Sequence, residues 1–332
     1  MRRAGGWLLG LVVVAAMGGG GWFALRRVFK TENVQVYLFT SEREPTTKAL
    51  RKGARTALEE CGGRVGRFRV EMINVTGEPM TEDLGGRMWI GTSGNYLSLG
   101  DIQPAPFFIS VLDTHPYQPT GIFRVTPGCD RQGRAAARWA KSVGVRRAFL
   151  VRDSGSLRST AVGNAFKASA EELKLTVDGP ENSMTDRPGL VRRILDSGAD
   201  LVFYSGEEAP YSTAYDLFMS LLRAGYTGKV ATAEADPEVS LLATRPTLFE
   251  GMYVVSPFAP YPPAGSGPHV VAGYLAMKAT LDAIDRANSI DPEALRRAAA
   301  KLPIFDATGA STRPCALYVA RKGILEFVEE LK

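Results

Sequence analysis

Apolar and polar positions in the first part of the chain follow two different periods. VQVYLFT, from Val34 to Thr40, alternates and is rich in β-formers, which predicts a strand. TTKALRKGARTALEECGG repeats its apolar residues at helical spacing and closes on Gly62 and Gly63, a helix-stop signal. Further strand-like runs separated by turn residues follow: FRVEMINV, RMWIGTS, APFFISV and GIFRVTP.

From Asp130 onwards, helical and strand patterns alternate regularly. The helical stretches are RQGRAAARWAKSVG, STAVGNAFKASAEEL, DRPGLVRRILDSG and YSTAYDLFMSLLRAG; the strand-like ones are RRAFLVRD, LKLTVDGP, ADLVFYSG, GKVATAEA and EGMYVVSPF. This alternation predicts right-handed βαβ units and a mostly parallel sheet. The fold class is therefore α/β and doubly wound, and a length of 332 residues favours two lobes over one.

In parallel sheets, functional residues lie on loops at the carboxyl ends of strands. There the sequence places Glu207 and Glu208, and after the next strand Glu234, Asp236 and Glu238. The three later acids are open to two interpretations. They form a solvated turn before a helix that begins near Pro237 with Asp236 as its N-cap, or they include a ligand-binding carboxylate. We favour the turn for Asp236 and ligand binding for Glu234.

The N-terminal segment, residues 1–30, is the most hydrophobic part of the chain. Trp7 to Leu25 comprises 19 residues without a charge, bracketed by arginines on both sides. Since about 20 apolar residues span a bilayer, we expect a membrane anchor. A cleaved signal peptide is the alternative, because Val14-Ala15-Ala16 resembles a cleavage site. Both place the rest of the chain outside the cytoplasm, on the periplasmic side.

Composition excludes several classes of function. A net charge of +5, with no run of basic residues, gives no reason to expect nucleic acid. His115 and His269 are the only histidines, so a histidine-based metal site or catalytic triad has little material, and no cofactor is expected. The motifs GxGxxG, GxxxxGK[ST] and GxSxG do not occur where an enzyme of this class needs them.

The chain has three cysteines, Cys61, Cys129 and Cys315, and the sequence leaves their pairing open. Two of them form a disulfide and the third is a free thiol, or all three are free thiols.

From about Val34 to the C-terminus the chain resembles the type I periplasmic solute-binding proteins, specifically the branched-chain amino-acid (Leu/Ile/Val) binding family. The resemblance rests on the order of several segments: IGTSG, FFISVLDTHP, IFRVTPGCDRQGRAAARWA, ADLVFYSG, RAGYTGKVATAEADPE, FEGMYVVSPF and FDATGA. It implies two doubly wound lobes that close on a small ligand and are joined by three crossings. Lobe I is expected at 31–122 and 257–308, and lobe II at 123–256 and 309–332. The crossings are expected near Phe123–Val125, Val255–Phe258 and Gly309–Pro314.

The same resemblance implies a set of ligand-binding residues. Hydroxyls and backbone amides of the first lobe take the ligand's carboxylate, and an acid of the second lobe takes its ammonium group. The predicted ligand-binding residues are Ser93, Asn95, Thr114, Leu157, Glu207 and Glu234. Thr114 and Ser93 occupy the carboxylate-binding positions, and Glu234 occupies the position of the ammonium-binding acid.

Two departures from the family alter these expectations. Between EMINVTGEP and RMWIG the chain has little more than MTEDLGG, which predicts a shortened first lobe. Where the family presents aromatic rings over the ligand, this chain has Leu157 and Glu207, which removes apolar cover and adds an acid. The added acid favours a more polar or cationic ligand than those of the family, or a cleft that has taken on another use.

The resemblance implies a binding protein and not an enzyme. Its expected partners are a small amino-acid or amide ligand and an ABC-type permease, with the membrane reached through the N-terminal segment. The alternative is a membrane-tethered ligand-sensing or interaction domain that has lost transport, which the anchor and the shortened lobe favour. An enzyme on a doubly wound fold is the third hypothesis, and the absent motifs argue against it.

Overall fold

The chain forms two sheets, each with helices packed on it. The computed structural model describes residues 31–39, 44–75, 87–91, 106–111, 121–153, 155–182, 186–206, 213–233, 250–261 and 267–331. The first elements are β1 (Glu32–Phe39), α1 (Glu44–Glu60), β2 (Arg64–Val65), β3 (Phe68–Val75), β4 (Met88–Gly91), β5 (Phe107–Ser110) and β6 (Ile122–Arg124). The middle elements are α2 (Cys129–Ser142), β7 (Arg147–Arg152), α3 (Leu157–Glu172), β8 (Thr176–Asn182), α4 (Arg187–Ser197), β9 (Leu201–Tyr204), α5 (Thr213–Arg223) and β10 (Lys229–Thr232). The last are β11 (Tyr253–Ser256), α6 (Pro268–Ala287), α7 (Pro292–Ala299), β12 (Cys315–Arg321) and β13 (Ile324–Leu331).

Within the described residues, the first sheet has six strands in the order β2-β3-β1-β4-β5-β6. Its pairs are parallel except for the short β2–β3 pair. The alternation predicted for β1 is confirmed, because Val34, Val36 and Leu38 all enter the core formed with α1, α6 and α7. The opposite face carries a smaller apolar cluster that includes Trp89 and Phe108. Both faces of this sheet are therefore apolar at its centre.

Helices α1 and α6 cross at very short range because each has a glycine at the contact. A Cβ atom on Gly53 would lie 1.8 Å from the carbonyl oxygen of Val270, and one on Gly273 would lie 2.1 Å from that of Leu50. Gly133 of α2 likewise allows close contact with α3, because a Cβ atom there would lie 2.4 Å from the carbonyl oxygen of Val162. The main core of the first sheet and one core of the second sheet are thus each closed by a pair of helices in close backbone contact.

The second sheet, as far as the structure describes it, has seven strands in the order β13-β12-β11-β10-β9-β7-β8. Strands β7 to β11 pair in parallel, as the βαβ pattern predicts. The edge hairpin of β12 and β13 is antiparallel, and β12 is also antiparallel to β11. The hairpin turns at Lys322 and Gly323, both with positive φ. The sheet is therefore mixed, with a parallel centre.

Both faces of the second sheet are covered by helices. Helices α2 and α3 pack on one face over a core that includes Trp139, Phe166 and Phe203. Helices α4 and α5 pack on the other face around Ile194 and Leu217. A sheet enclosed in this way presents its strand ends, not its faces, to solvent and ligand.

The chain passes between the two sheets at segments that hydrogen-bond to each other. The backbone N–H of Arg124, at the end of β6, donates to the carbonyl oxygen of Gly309 over 2.8 Å. Arg124 also forms an isolated parallel bridge with Ala310. Ser256 ends β11 of the second sheet, whereas Phe258 belongs to the core of the first. These contacts lie within the predicted crossings, and the exact lobe boundaries stay a prediction.

The structure also gives the state of the three cysteines and shows whether a described helix could span a membrane. Cys61, Cys129 and Cys315 are all free, so the structure contains none of the disulfides left open above. Among the described residues, no helix combines the length and apolar character needed to cross a bilayer. The segment from Trp7 to Leu25 and the shortened stretch MTEDLGG lie outside those residues.

Candidate ligand-binding site

Most of the predicted ligand-binding residues fall outside the described part of the chain. These are Ser93, Asn95, Thr114, Glu207 and Glu234, whose roles stay predictions. The structure does describe the strands that lead into them. Strand β4 ends two residues before Ser93, and β5 ends four before Thr114. Strand β9 ends three residues before Glu207, and β10 ends two before Glu234.

Strand β4 is the neighbour of β5, and β9 is the neighbour of β10. In each pair the last residues of the two strands are register partners. In the first sheet Gly91 of β4 is the register partner of Ser110 of β5. In the second sheet Tyr204 of β9 is the partner of Thr232 of β10. Since neighbouring strands lie about 4.8 Å apart, the two first-lobe segments start side by side, and so do the two second-lobe segments.

Leu157 is the one predicted site residue that the structure describes. It is the first residue of α3, directly after the N-cap Ser156, whose side chain accepts a hydrogen bond from the Ser159 backbone N–H. Its side chain is 59% exposed. Helix α3 follows β7, a neighbour of β9, so its N-terminus lies at the carboxyl edge of the second sheet. An exposed leucine at this edge is a candidate apolar contact for a ligand.

A buried polar chain, which the sequence analysis did not anticipate, runs along the same edge. Arg158, only 6% exposed, donates from Nη2 to the carbonyl oxygen of Ala233 at 2.6 Å and to Gln132 Oε1 at 2.9 Å. Gln132 in turn donates from Nε2 to the carbonyl oxygen of Val255 at 2.6 Å. Helices α2 and α3 are thereby tied to the ends of β10 and β11. The Ala233 carbonyl directly precedes Glu234.

Two buried serines fix the start of α3 against β9. The Ser205 hydroxyl donates to the carbonyl oxygen of Ser159 at 2.9 Å, and the two hydroxyl oxygens lie 3.2 Å apart. The Ser159 hydroxyl accepts from the Asp153 backbone N–H at 2.9 Å. The helix that carries Leu157 is therefore held rigidly at the strand end that leads to Glu207.

Two further hydroxyls at the strand ends are buried without a hydrogen-bond partner in the described part of the chain. They are Ser110 Oγ, at the end of β5, and Thr232 Oγ1, at the end of β10, in residues with no exposed surface. A buried hydroxyl without a hydrogen-bond partner lowers the stability of the fold, so such a group calls for an explanation, for example a functional role. Both lie at the carboxyl ends of strands that lead into predicted ligand-binding segments.

The described part of this edge is polar but holds no metal-binding group. Across residues 31–331, as far as the structure describes them, no three histidine, cysteine or acidic side chains converge as metal ligands. His269 is buried at the start of α6, beside the Phe258 ring, and His115 lies outside the described residues. The strand ends offer hydroxyls, carbonyl oxygens and the buried guanidinium groups of Arg124 and Arg158, a set suited to hydrogen-bonding a small polar solute.

Comparison with known proteins gives the family. The sequence profile of the family described as periplasmic binding protein matches residues 91–267, which is more than half of the chain. Members of this family are solute-binding proteins, and the match implies an extracytoplasmic location. No curated protein sequence matches the chain.

Solved structures of similar fold cover nearly the whole chain. The leucine-binding protein LivK of Thermotoga maritima aligns with a TM-score of 0.71 at 19% identity, over 90% of this chain and 99% of its own. An ABC transporter substrate-binding protein of Desulfitobacterium hafniense, in complex with Leu, aligns at 0.72 and 17% identity, over 90% and 100%. A solute-binding protein of an ABC transporter of R. palustris, in complex with 4-hydroxybenzoate, aligns at 0.65 and 16% identity, over 91% and 97%. At such identities these structures show the fold alone.

Proposed function

The chain belongs to the periplasmic binding protein family, and we propose that it captures a small amino-acid-like solute between its two lobes. The observation that carries the proposal is the arrangement of strand ends. Two neighbouring strands of each sheet end level with each other and lead into the segments with the predicted ligand residues. The binding site is thus assembled from both lobes, as closure on a ligand requires.

The two lobes have different roles in this proposal. Thr114, Ser93 and Asn95 of the first lobe bind the ligand's carboxylate through hydroxyl, amide and backbone N–H groups. Glu234 of the second lobe binds the ammonium group as a charge-assisted hydrogen bond. Leu157 covers the ligand's apolar part.

Glu207 is the proposed determinant of specificity. It adds a second acid near Glu234, which favours a ligand with an additional polar or cationic group. Such a ligand would satisfy both carboxylates when the cleft closes. Leucine and isoleucine have no such group, so they are expected to bind less tightly than a polar amino acid or an amide.

We further propose that the protein delivers its ligand to an ABC-type permease on the periplasmic side of the membrane. Structures of similar fold include substrate-binding proteins of ABC transporters.

Residues 7–25 are proposed as the anchor that keeps the lobes near the membrane, with a cleaved signal peptide as the alternative. Cell fractionation and N-terminal sequencing distinguish them. Anchored protein starts at Met1 and sediments with membranes, whereas cleaved protein is periplasmic and starts near Met17.

A ligand-sensing domain without a transport role is the second candidate. The specific feature that favours it is the uncharged stretch from Trp7 to Leu25, because a tethered receptor has less need to diffuse to a permease. Deleting the permease gene nearest to this gene distinguishes the two. Loss of ligand uptake supports transport, whereas unchanged uptake supports sensing.

A thermal-shift screen of the full-length chain tests the proposed binding function. The panel contains neutral, basic and amide amino acids, with benzoate and 4-hydroxybenzoate as carboxylates that lack an ammonium group. We expect at least one amino acid or amide to raise the melting temperature and the two benzoates not to do so. A ligand at about 100 times its Kd stabilises a protein by about 2.7 kcal/mol, which is readily measured. No shift with any amino acid or amide would contradict the proposal.

A further inference from the structure

A cavity rich in arginine lies beside the crossing that precedes β12. Its volume is about 510 Å³, and it is lined by α2, the segment before β12, the start of β12 and the end of β13. Four arginines line it, Arg131, Arg134, Arg138 and Arg313, against the single acid Glu330. None of these residues lies on the strand ends that lead to the predicted amino-acid site.

The arginines on α2 form one stripe that helix stability does not explain. Arg131, Arg134 and Arg138 are spaced by three and four residues, so they lie on one face of the helix. Like charges at these spacings repel one another. Arg131 is also near the helix N-terminus, where the helix dipole disfavours a positive charge. Arg134 is compensated by its ion pair with Asp130, whereas the position of Arg131 on this face is unfavourable for the helix.

These side chains are only partly neutralised by their neighbours. Arg131 donates from Nη1 to a neutral acceptor, the carbonyl oxygen of Ser311, at 3.0 Å. Arg134 pairs with Asp130 one turn earlier. Arg138 is exposed and makes no hydrogen bond or ion pair with any residue that the structure describes. Within the part of the chain that the structure describes, the donors of Arg138 are therefore not occupied.

Arg313 lines the cavity from the segment before β12. Its guanidinium lies 4.9 Å from the centre of the Tyr261 ring, and its Nη2 reaches the carbonyl oxygens of Ala259 and Pro260 at 3.4 Å. Burial lowers the pKa of Arg313, and the charge of Glu330 opposes that effect. A partly desolvated guanidinium with only long contacts to neutral acceptors gains most from an added anion.

We propose that this cavity binds a small soluble oxyanion with at least two negative charges, a phosphate or a polycarboxylate. Arginines from α2 and from the crossing line the same cavity, and their planar guanidinium forks match the paired oxygens of such groups. The volume lies within the range of small-molecule sites and exceeds what a single inorganic ion needs. Because Arg313 belongs to the segment before β12, the bound anion joins that segment to α2.

Calorimetric titration of the full-length chain with pyrophosphate and with citrate tests the site. We expect at least one of these probes to bind, and its affinity to fall as NaCl is added. Arg138→Gln and Arg313→Gln should each weaken binding about tenfold or more, because each removes a charged hydrogen-bond donor. The matched control is Arg223→Gln, an exposed arginine at the far end of α5, which should bind as the parent does.

The same titrations separate this site from the amino-acid cleft. Arg138→Gln should leave the affinity for the solute found by thermal shift unchanged, because Arg138 lies on α2 away from those strand ends. Arg138 is exposed, so its replacement is not expected to prevent folding. Failure of both probes to bind, or parent affinity in the Arg138→Gln/Arg313→Gln double variant, would overturn the proposal.

Discussion

Arg158 holds the strand end from which Glu234 follows. Its guanidinium is buried between α2, α3 and the end of β10, and it donates to the carbonyl oxygen of Ala233. Removing it would leave that carbonyl and the Gln132 amide oxygen without this donor in a buried place. We therefore assign Arg158 as a positioning residue for the proposed ligand acid.

Arg158→Met is expected to lower the free energy of unfolding by about 2–4 kcal/mol, because a buried hydrogen-bonded network loses its charged donor. Arg192→Met, an exposed arginine on α4, is the matched control and should change it by less than about 0.5 kcal/mol. Urea unfolding measures both. Where the Arg158→Met variant remains folded, its affinity for the ligand should also be lower than that of the parent. The Arg158→Lys variant, which keeps a positive charge, should recover part of that affinity. Equal stability of the two methionine variants would refute the assignment.

The three thiols are expected to differ in reactivity. Cys129 and Cys315 are buried in the second core, and burial raises the pKa of Cys315 to about 12, so its thiolate is scarce at neutral pH. Cys61 is only half-buried, at the end of α1. A maleimide should therefore label one thiol per native chain and three after denaturation, as mass spectrometry would show. Cys61→Ser should abolish native labelling; rapid labelling of that variant would contradict the burial.

Little of this residue-scale detail could be predicted from sequence. Gln132 and Arg158 lie inside two helical patterns, where a polar residue normally indicates a solvated face. They meet only because Gly133 and its neighbours let α2 and α3 pack closely. Glu234 and Leu157, in contrast, were identified through a family resemblance and their place after strands.

At the scale of elements, the crossing of α1 and α6 depends on glycine. Alanine has the higher helix propensity, by about 1 kcal/mol, so an exposed Gly→Ala change in a helix is usually stabilising. At Gly53 the added methyl group would meet the backbone of α6 at 1.8 Å, which no side-chain rotation relieves. Steric overlap therefore outweighs propensity.

Gly53→Ala is expected to destabilise the protein by about 1–3 kcal/mol, the usual cost of overpacking. Arg55→Ala, at an exposed position of the same helix, is the control and should have an effect near zero. Thermal unfolding monitored by circular dichroism compares them. A Gly53→Ala variant at least as stable as the parent would show that the helices do not touch there.

The turn after α7 depends on one carboxylate. Burial by itself would raise the pKa of Asp306, but hydrogen bonds from Thr308 and Ala310, and the charge of Arg131, hold the pKa below its ordinary value of 3.8. A carboxyl whose folded pKa is depressed stabilises the native state above its unfolded pKa. That stabilisation is lost as the pH falls through the folded value.

Asp306→Asn should therefore lower the free energy of unfolding most at neutral pH. Its difference from the parent should shrink as the pH falls below 3.8. Urea unfolding from about pH 7 to about pH 2 measures this difference. Asp282→Asn, an exposed acid of α6, provides the comparison for a surface ion pair. A difference that stays constant with pH would contradict the role of the charge.

The elements themselves were predicted well where the pattern was periodic. The βαβ run from α2 to β11 and the strands of the first sheet are confirmed. The edge hairpin of β12 and β13 was not predicted, because Lys322-Gly323 is a weaker turn signal than Asn-Gly and the strands show no clean alternation. In β13 the exposed Ile324, Phe327 and Val328 break the rule that apolar residues face the core.

At the scale of the whole molecule, two sheets with separate cores present their strand ends as parts of one proposed cleft. Lobe architecture follows from the alternation of elements and from the late return of the chain to the first core through α6 and α7. Fold alone does not determine what is bound, because similar structures are complexes with leucine and with 4-hydroxybenzoate. We propose that side chains in the segments after the strands determine the ligand.

Calorimetric titration of the full-length chain and its Glu234→Gln variant, with the solute found by thermal shift, tests the central claim most directly. Glutamine keeps the size of the side chain but removes its charge. The account predicts a loss of about 1.5–3 kcal/mol, or roughly 10- to 100-fold in affinity, if Glu234 binds the ammonium group. Glu238 is predicted from the sequence to lie on a solvated turn, so the Glu238→Gln variant should bind the solute with the affinity of the parent. Equal affinity of the Glu234→Gln variant and the parent would contradict the account.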